Sequence, residues 1–424
     1  MLLRSARLAD GRLVDVRLSP ADGTIDAVEP SAATPARTPP HTEPTATAEP
    51  ATEPGPDAEL DLDGYLLLPA PAEPHAHLDK ALTADLIPNP AGDLHGAIEA
   101  YVAHYPDRTV EEIHRRARRA ALHNLAHGCT AIRTHVDLNE LIGLRSVEAL
   151  LQLKAELAPV FDLQIVALVG RPLGGDEGAT NRRLLAEALD LGVDVGGGCP
   201  HIDPDRTTHL ELALEAAAER GKPLDLHMDE NLDPHSLDLR TLARRVIATG
   251  FRHGVVASHC TSLGIQPPEL QAEVAAETAA AGISVVTLPQ TNLFLQARGI
   301  RTAQPRGLTA IAALREAGVN VAAGADNLQD PFNTVGRGDP LETAALLVMA
   351  AHLSAEDAYE AISNAARRAM GLPPVTMAPG DPAELLAIRA TTVREAVASA
   401  PGDRLVFARG RLVARTRTET ELTL

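Results

Sequence analysis

The chain has 424 residues, 45% of them hydrophobic and 22% charged, enough apolar material for a large globular core. A net charge of −19 without a dense basic cluster argues against a nucleic-acid partner. No run is apolar and long enough to span a bilayer, Met1–Arg7 lacks the unbroken apolar stretch of a secretory signal, and three scattered cysteines without a CxxC pair fit a reducing, cytoplasmic setting.

From the N-terminus, Leu2–Leu8 and Arg12–Leu18 read as alternating strands joined by an Asp10-Gly11 turn, a hairpin signal. A Pro/Thr/Ala/Glu-rich stretch from about 30 to 57 has too few large apolar residues to pack and reads as a disordered insertion. From residue 66 onward, short apolar runs alternate with amphipathic helical segments. The expected strands are Leu66–His77, Ala131–Val136, Leu163–Val169, Val193–Gly197, Leu224–Met228, Val255–His259, Ser284–Leu288 and Val319–Ala323. Eight strands, each followed by a helix, predict a (β/α)8 TIM barrel over residues 66–370. An open doubly wound sheet is the rival, weakened because no GxGxxG follows an early strand. The remaining short strands, in 1–65 and 371–424, predict a small composite β-sandwich domain built from both ends of the chain.

Active sites of such barrels sit at the C-terminal ends of the strands. Those ends carry His75 and His77, His135 and Asp137, His227 with Asp229 and Glu230, His259, and Asp326 with Asn327. On a strand, His75 and His77 point to one face, which makes half of a metal site. Each residue alone has an ordinary reading: a core histidine, a helix cap, a loop charge, and for His135 and Asp137 a supporting position behind the ligands. Their joint occurrence at matching strand ends favours metal chemistry.

In this order, His75-x-His77, His227-x-x-Glu230, Ser258-His259 and Ala325-Asp326 resemble the amidohydrolase superfamily, and more closely its bacterial cytosine deaminase-like branch. Glu73–Asp79, Arg133–Asp137 and Asp330-Pro331-Phe332 carry the same likeness. The resemblance implies that His75, His77, His227 and Asp326 bind one divalent metal ion, Zn2+ or Fe2+. It further implies catalytic roles for Glu230 as acid/base, His259 as the residue that holds the activated water, and Asp326 as the group that takes its proton. The implied reaction is hydrolytic deamination of a small-molecule nitrogen heterocycle by metal-activated hydroxide. No lysine ends the fourth strand to bridge a second metal.

Within this resemblance, Gly170 stands where cytosine deaminases carry a Gln that reads the pyrimidine amide edge, Asn327 replaces a second Asp, and Phe332 replaces a Trp. Lys80 matches the His-Leu-Asp-Lys form of triazine-type aminohydrolases. These departures point away from free cytosine. They make Lys80, Arg171, Asn327 and Phe332 the expected substrate-binding residues. A metal-dependent amidase acting on a cyclic or acyclic amide is the second reading, and a non-catalytic binding barrel the third. The chain is compatible with a homo-oligomer.

Overall fold

The structure is a computed structural model that describes residues 1–32 and 58–423; most of the Pro/Thr-rich insertion lies outside the described residues. Eight parallel strands follow one another in chain order: Ala72–Ala76, Ala131–Leu138, Asp162–Val169, Val195–Gly198, Leu224–Met228, Val255–His259, Ser284–Thr287 and Val321–Ala323. The circle closes just beyond the eighth strand. There Ala76 bridges Asp326, His77 N donates to Asp326 O at 3.2 Å, and Asp326 N donates to His75 O at 3.0 Å. The architecture is a (β/α)8 barrel.

Side-chain alternation explains why these segments form it. In the second strand, Ile132 and Val136 pack outward with the helical layer, while Ala131 packs in a separate inner cluster. That inner cluster joins Ala72, Val256, Val286 and Ala322 to Ala365, Ala366 and Met370, so the helix Asn364–Ala369 and the residue after it close one end of the barrel. The polar strand positions are left for the other end.

One expectation is corrected in detail. Leu66–His77 is not a single strand: Leu66–Pro69 pairs with Leu385–Ile388 in the terminal sheet, and only Ala72–Ala76 belongs to the barrel. Proline has no N–H for a ladder, and Pro69 and Pro71 bracket the switch between sheets. The terminal strands form one continuous eight-stranded sheet, so the sandwich-like packing is made within a single hydrogen-bonded unit. Its core brings Leu3, Val16 and Ile25 from the start of the chain against Leu385, Leu405 and Phe407 from its end.

The sheet is fastened to the barrel by a buried ion pair. Arg404 Nη1 and Nη2 meet Asp339 Oδ1 and Oδ2 at 2.9 and 2.7 Å, and Nη1 also donates to His127 O. Asp339 in turn caps the helix Pro340–Ala351 by accepting from Leu341 N. Removing one partner of a buried pair costs about 3–5 kcal/mol, because the other charge stays buried and unpaired. Asp339→Ala is therefore expected to lower unfolding stability by about that amount in a denaturant titration; a loss below about 1 kcal/mol, the range of surface pairs, would show that the clamp contributes little.

Candidate active site

Four donor atoms converge at the polar end of the barrel. His227 Nε2 lies 3.1 Å from His75 Nε2 and 3.1 Å from His77 Nε2, while Asp326 Oδ1 lies 3.5 and 3.2 Å from the same two nitrogens. Ligands at about 2.1 Å from a tetrahedral Zn2+ stand about 3.4 Å from one another, so these spacings match a single coordination sphere. Asp326 Oδ1 has no hydrogen-bond partner among the described residues. Burial drives the His75, His77 and His227 imidazoles well below their usual pKa, leaving neutral rings with lone pairs to offer. It pushes the Asp326 carboxyl well above its usual range, a cost that a nearby cation reverses. The donor set fits one divalent ion. A metal held there supplies a water nucleophile that ionises near neutral pH.

Support behind the cage fixes its orientation. His75 Nδ1 lies 2.9 Å from Ser258 Oγ, which donates to Asp225 Oδ1 at 3.2 Å, and Asp225 Oδ2 accepts from Arg133 at 2.9 Å. A hydroxyl that gives its proton to Asp225 accepts from Nδ1–H, so the His75 lone pair is on Nε2. Glu73, two residues earlier, accepts from His75 N and Ala325 N and ties the first strand to the segment carrying Asp326. Gly324 makes room for it, since a Cβ there would stand 2.1 Å from Glu73 Oε1.

His259 and Glu230 face the same space. Alternation would send His259 outward with Val255 and Ala257, but its left-handed backbone (φ 69°) turns the ring inward, with Nε2 3.9 Å from Asp326 Oδ2. Glu230 Oε1 is 3.5 Å from His259 Nδ1, and burial pushes its carboxyl up to about 8. Asp229 differs: its carboxylate accepts from Ser236 Oγ, Asp238 N and Leu239 N, so it organises the loop. Only Glu230 of this pair lines the cavity.

A model of the amidohydrolase family matches residues 92–414. The chain belongs to the amidohydrolase family. As a member of it, the protein is a hydrolase of carbon–nitrogen bonds, which sets aside the non-catalytic barrel. It is 31% identical over 376 residues to a pterin deaminase of Rhizobium rhizogenes, spanning 86% of this chain and 84% of that one. It is 28% identical over 298 residues to an N-isopropylammelide isopropyl amidohydrolase of Pseudomonas sp., spanning 68% and 69%. Among solved structures, 5-methylcytosine deaminase from Klebsiella pneumoniae superposes with a TM-score of 0.85 at 28% identity, covering 100% of this chain and 99% of that one.

In this amidohydrolase the site opens into a cavity of about 450 Å³. Lys80, Arg171, Asn327 and Phe332 all line it, in different states. Lys80 is buried among carboxylates. The Asn327 amide is engaged at both ends, accepting from Thr291 Oγ1 and donating to Asp330 Oδ2. Phe332 is half-buried, and Arg171 is exposed with no ion pair among the described residues. Sequence reasoning missed His201, whose Nδ1 donates to His227 O at 3.0 Å and whose buried ring also lines the cavity. It also missed the helix Leu94–Val102, which adds Leu94, Ile98 and Tyr101 to the wall. Among the described residues, no helix is long and apolar enough to cross a membrane.

Supporting partners of metal-bound histidines are worth about 10–100-fold in metal affinity. Ser258→Ala is expected to weaken binding by that factor in competition with a chelator; unchanged affinity would show that the hydroxyl does not orient His75.

Proposed function

We propose that the protein is a metal-dependent hydrolytic deaminase of a small nitrogen heterocycle. The observation that carries this reading is the pairing of a four-donor cage with one buried carboxyl, Glu230, which burial pushes up to about 8, inside the same cavity. The named activities of the similar proteins, on pterin, 5-methylcytosine and N-isopropylammelide, belong to one chemical group: amino-substituted nitrogen rings. His75, His77, His227 and Asp326 hold one divalent ion, Zn2+ or Fe2+; imidazole-rich sets accept both, and supply decides between them.

The chain's own groups then divide the proton work. Glu230, kept protonated by burial, delivers its proton to the ring nitrogen beside the carbon under attack, which removes the negative charge that would otherwise build there. His259, whose Nδ1 lies 3.5 Å from Glu230 Oε1, orients the nucleophile beside it. Asp326, near His259, accepts the proton that the nucleophile's hydroxyl loses and passes it to the departing amine, which leaves as ammonia; the next water to enter returns a proton to Glu230. Phe332 packs on the ring, and Arg171 faces substituents at the mouth.

Ammonia release from a panel of aminopyrimidines, aminotriazines and aminopteridines tests the reaction. Glu230→Gln is expected to lower kcat by about 10²–10⁴ at unchanged metal content. Turnover at the wild-type rate would remove Glu230 from the mechanism. Cleaved or ring-opened products without free amine would point to the amidase reading instead.

A further inference from the structure

The cavity wall beside His77 holds a buried cluster of charge that the reaction above does not use. Lys80 Nζ lies 2.7 Å from Asp137 Oδ1, 3.4 Å from Asp79 Oδ1 and 3.3 Å from His77 Nδ1. Asp137 Oδ2 accepts from Tyr105 Oη at 2.6 Å. Lys80 and Asp137 line the cavity, with side chains 5% and 11% exposed. Stability gives no reason for this cluster, since apolar replacements of buried ion pairs are often neutral or stabilising.

The cluster keeps donor and acceptor capacity of its own. An ammonium carries three N–H groups, and two of them reach Asp137 and Asp79. The third faces His77 Nδ1. A neutral ring that gives its Nε2 lone pair to a cation carries its proton on Nδ1 and cannot accept there. One N–H of Lys80 therefore has no lone-pair acceptor among the described residues; the Tyr101 ring centroid lies 5.5 Å from Nζ. Each carboxylate oxygen accepts two bonds, and Asp137 takes Lys80 on one oxygen and Tyr105 on the other. A charged donor and a charged acceptor thus stand side by side, one ligand away from the cage.

We propose that Lys80 and Asp137 together read a cyclic amide edge of the substrate, Lys80 donating to its carbonyl oxygen and Asp137 accepting from the adjacent ring N–H. Bond lengths place the nitrogen and oxygen of an amide about 2.3 Å apart, close to the 2.7 Å between Lys80 Nζ and Asp137 Oδ1. The substrate class narrows to amino-heterocycles that also carry an –NH–C(=O)– unit in the ring. The amino group in that description rests on the deaminase reading; the amide edge does not.

The test is calorimetric binding to the metal-loaded protein, which needs no turnover. The probes are two pairs, 2-amino-4-oxopteridine against 2-amino-4-methoxypteridine, and 2-amino-4-oxopyrimidine against 2-amino-4-methoxypyrimidine. The methoxy member of each pair lacks both the N–H and the carbonyl. At least one oxo compound is expected to bind about 10–100-fold more tightly than its methoxy partner. Lys80→Met and the isosteric Asp137→Asn are each expected to erase that preference at unchanged metal content. No oxo preference in the wild type, or a preference that survives both variants, overturns the inference. So does loss of metal in both variants, which would make the cluster a support of His77. Ammonia release without oxo preference leaves the deaminase reading standing and removes this one; oxo binding dependent on Lys80 without ammonia release does the reverse.

Discussion

His227 Nε2 stands 3.1 Å from His75 Nε2 and His77 Nε2, and Asp326 Oδ1 stands 3.5 and 3.2 Å from the same two nitrogens, a buried gathering of donors that a cation would make favourable. Lone pairs that close repel, and the buried carboxyl loses hydration with nothing among the described residues to replace it at Oδ1. The fold holds this arrangement by closing the barrel beside these same residues. Asp326 shares one backbone hydrogen bond with His75 and another with His77 across the seam, and Glu73 locks both sides of it. Closing the barrel brings these donors together.

The rest of the molecule keeps that mouth fixed. The helix Asn364–Ala369 helps fill the far end of the barrel with small apolar side chains, so strand positions are not free to shift. Leu66–Pro69 joins the terminal sheet to the strand carrying His75 and His77 with two residues between them, Ala70 and Pro71. The Arg404–Asp339 pair and the bond from Tyr359 Oη to Pro69 O hold that sheet against the helices. Left-handed backbone at His259 and Asp326 is tolerated because the surrounding packing determines it.

Much of this was legible in the sequence, for physical reasons that differ from element to element. Strands five and six were bounded correctly because apolar alternation runs through Leu224–Met228 and a short apolar run, closed by Ser258-His259, marks Val255–His259. The apolar run at Leu66 hid a change of sheet, since periodicity reports burial and not which sheet buries it. Asp229 and Glu230 are adjacent acids of the same type; only the loop geometry separates a cap from a group facing the cavity. Lys80 was visible as a residue beside the His-x-His motif, with Asp79 next to it, but its nearer carboxylate partner, Asp137, meets it only after folding. His201 carried no signal beyond its type, because its partner is a backbone carbonyl.

The proposed chemistry needs one ion in one place. Anomalous diffraction from crystals of the zinc- or iron-loaded protein locates it directly. The predicted result is a single peak about 2.0–2.2 Å from His75 Nε2, His77 Nε2, His227 Nε2 and Asp326 Oδ1. A peak elsewhere, or two ions sharing the cavity, would contradict it.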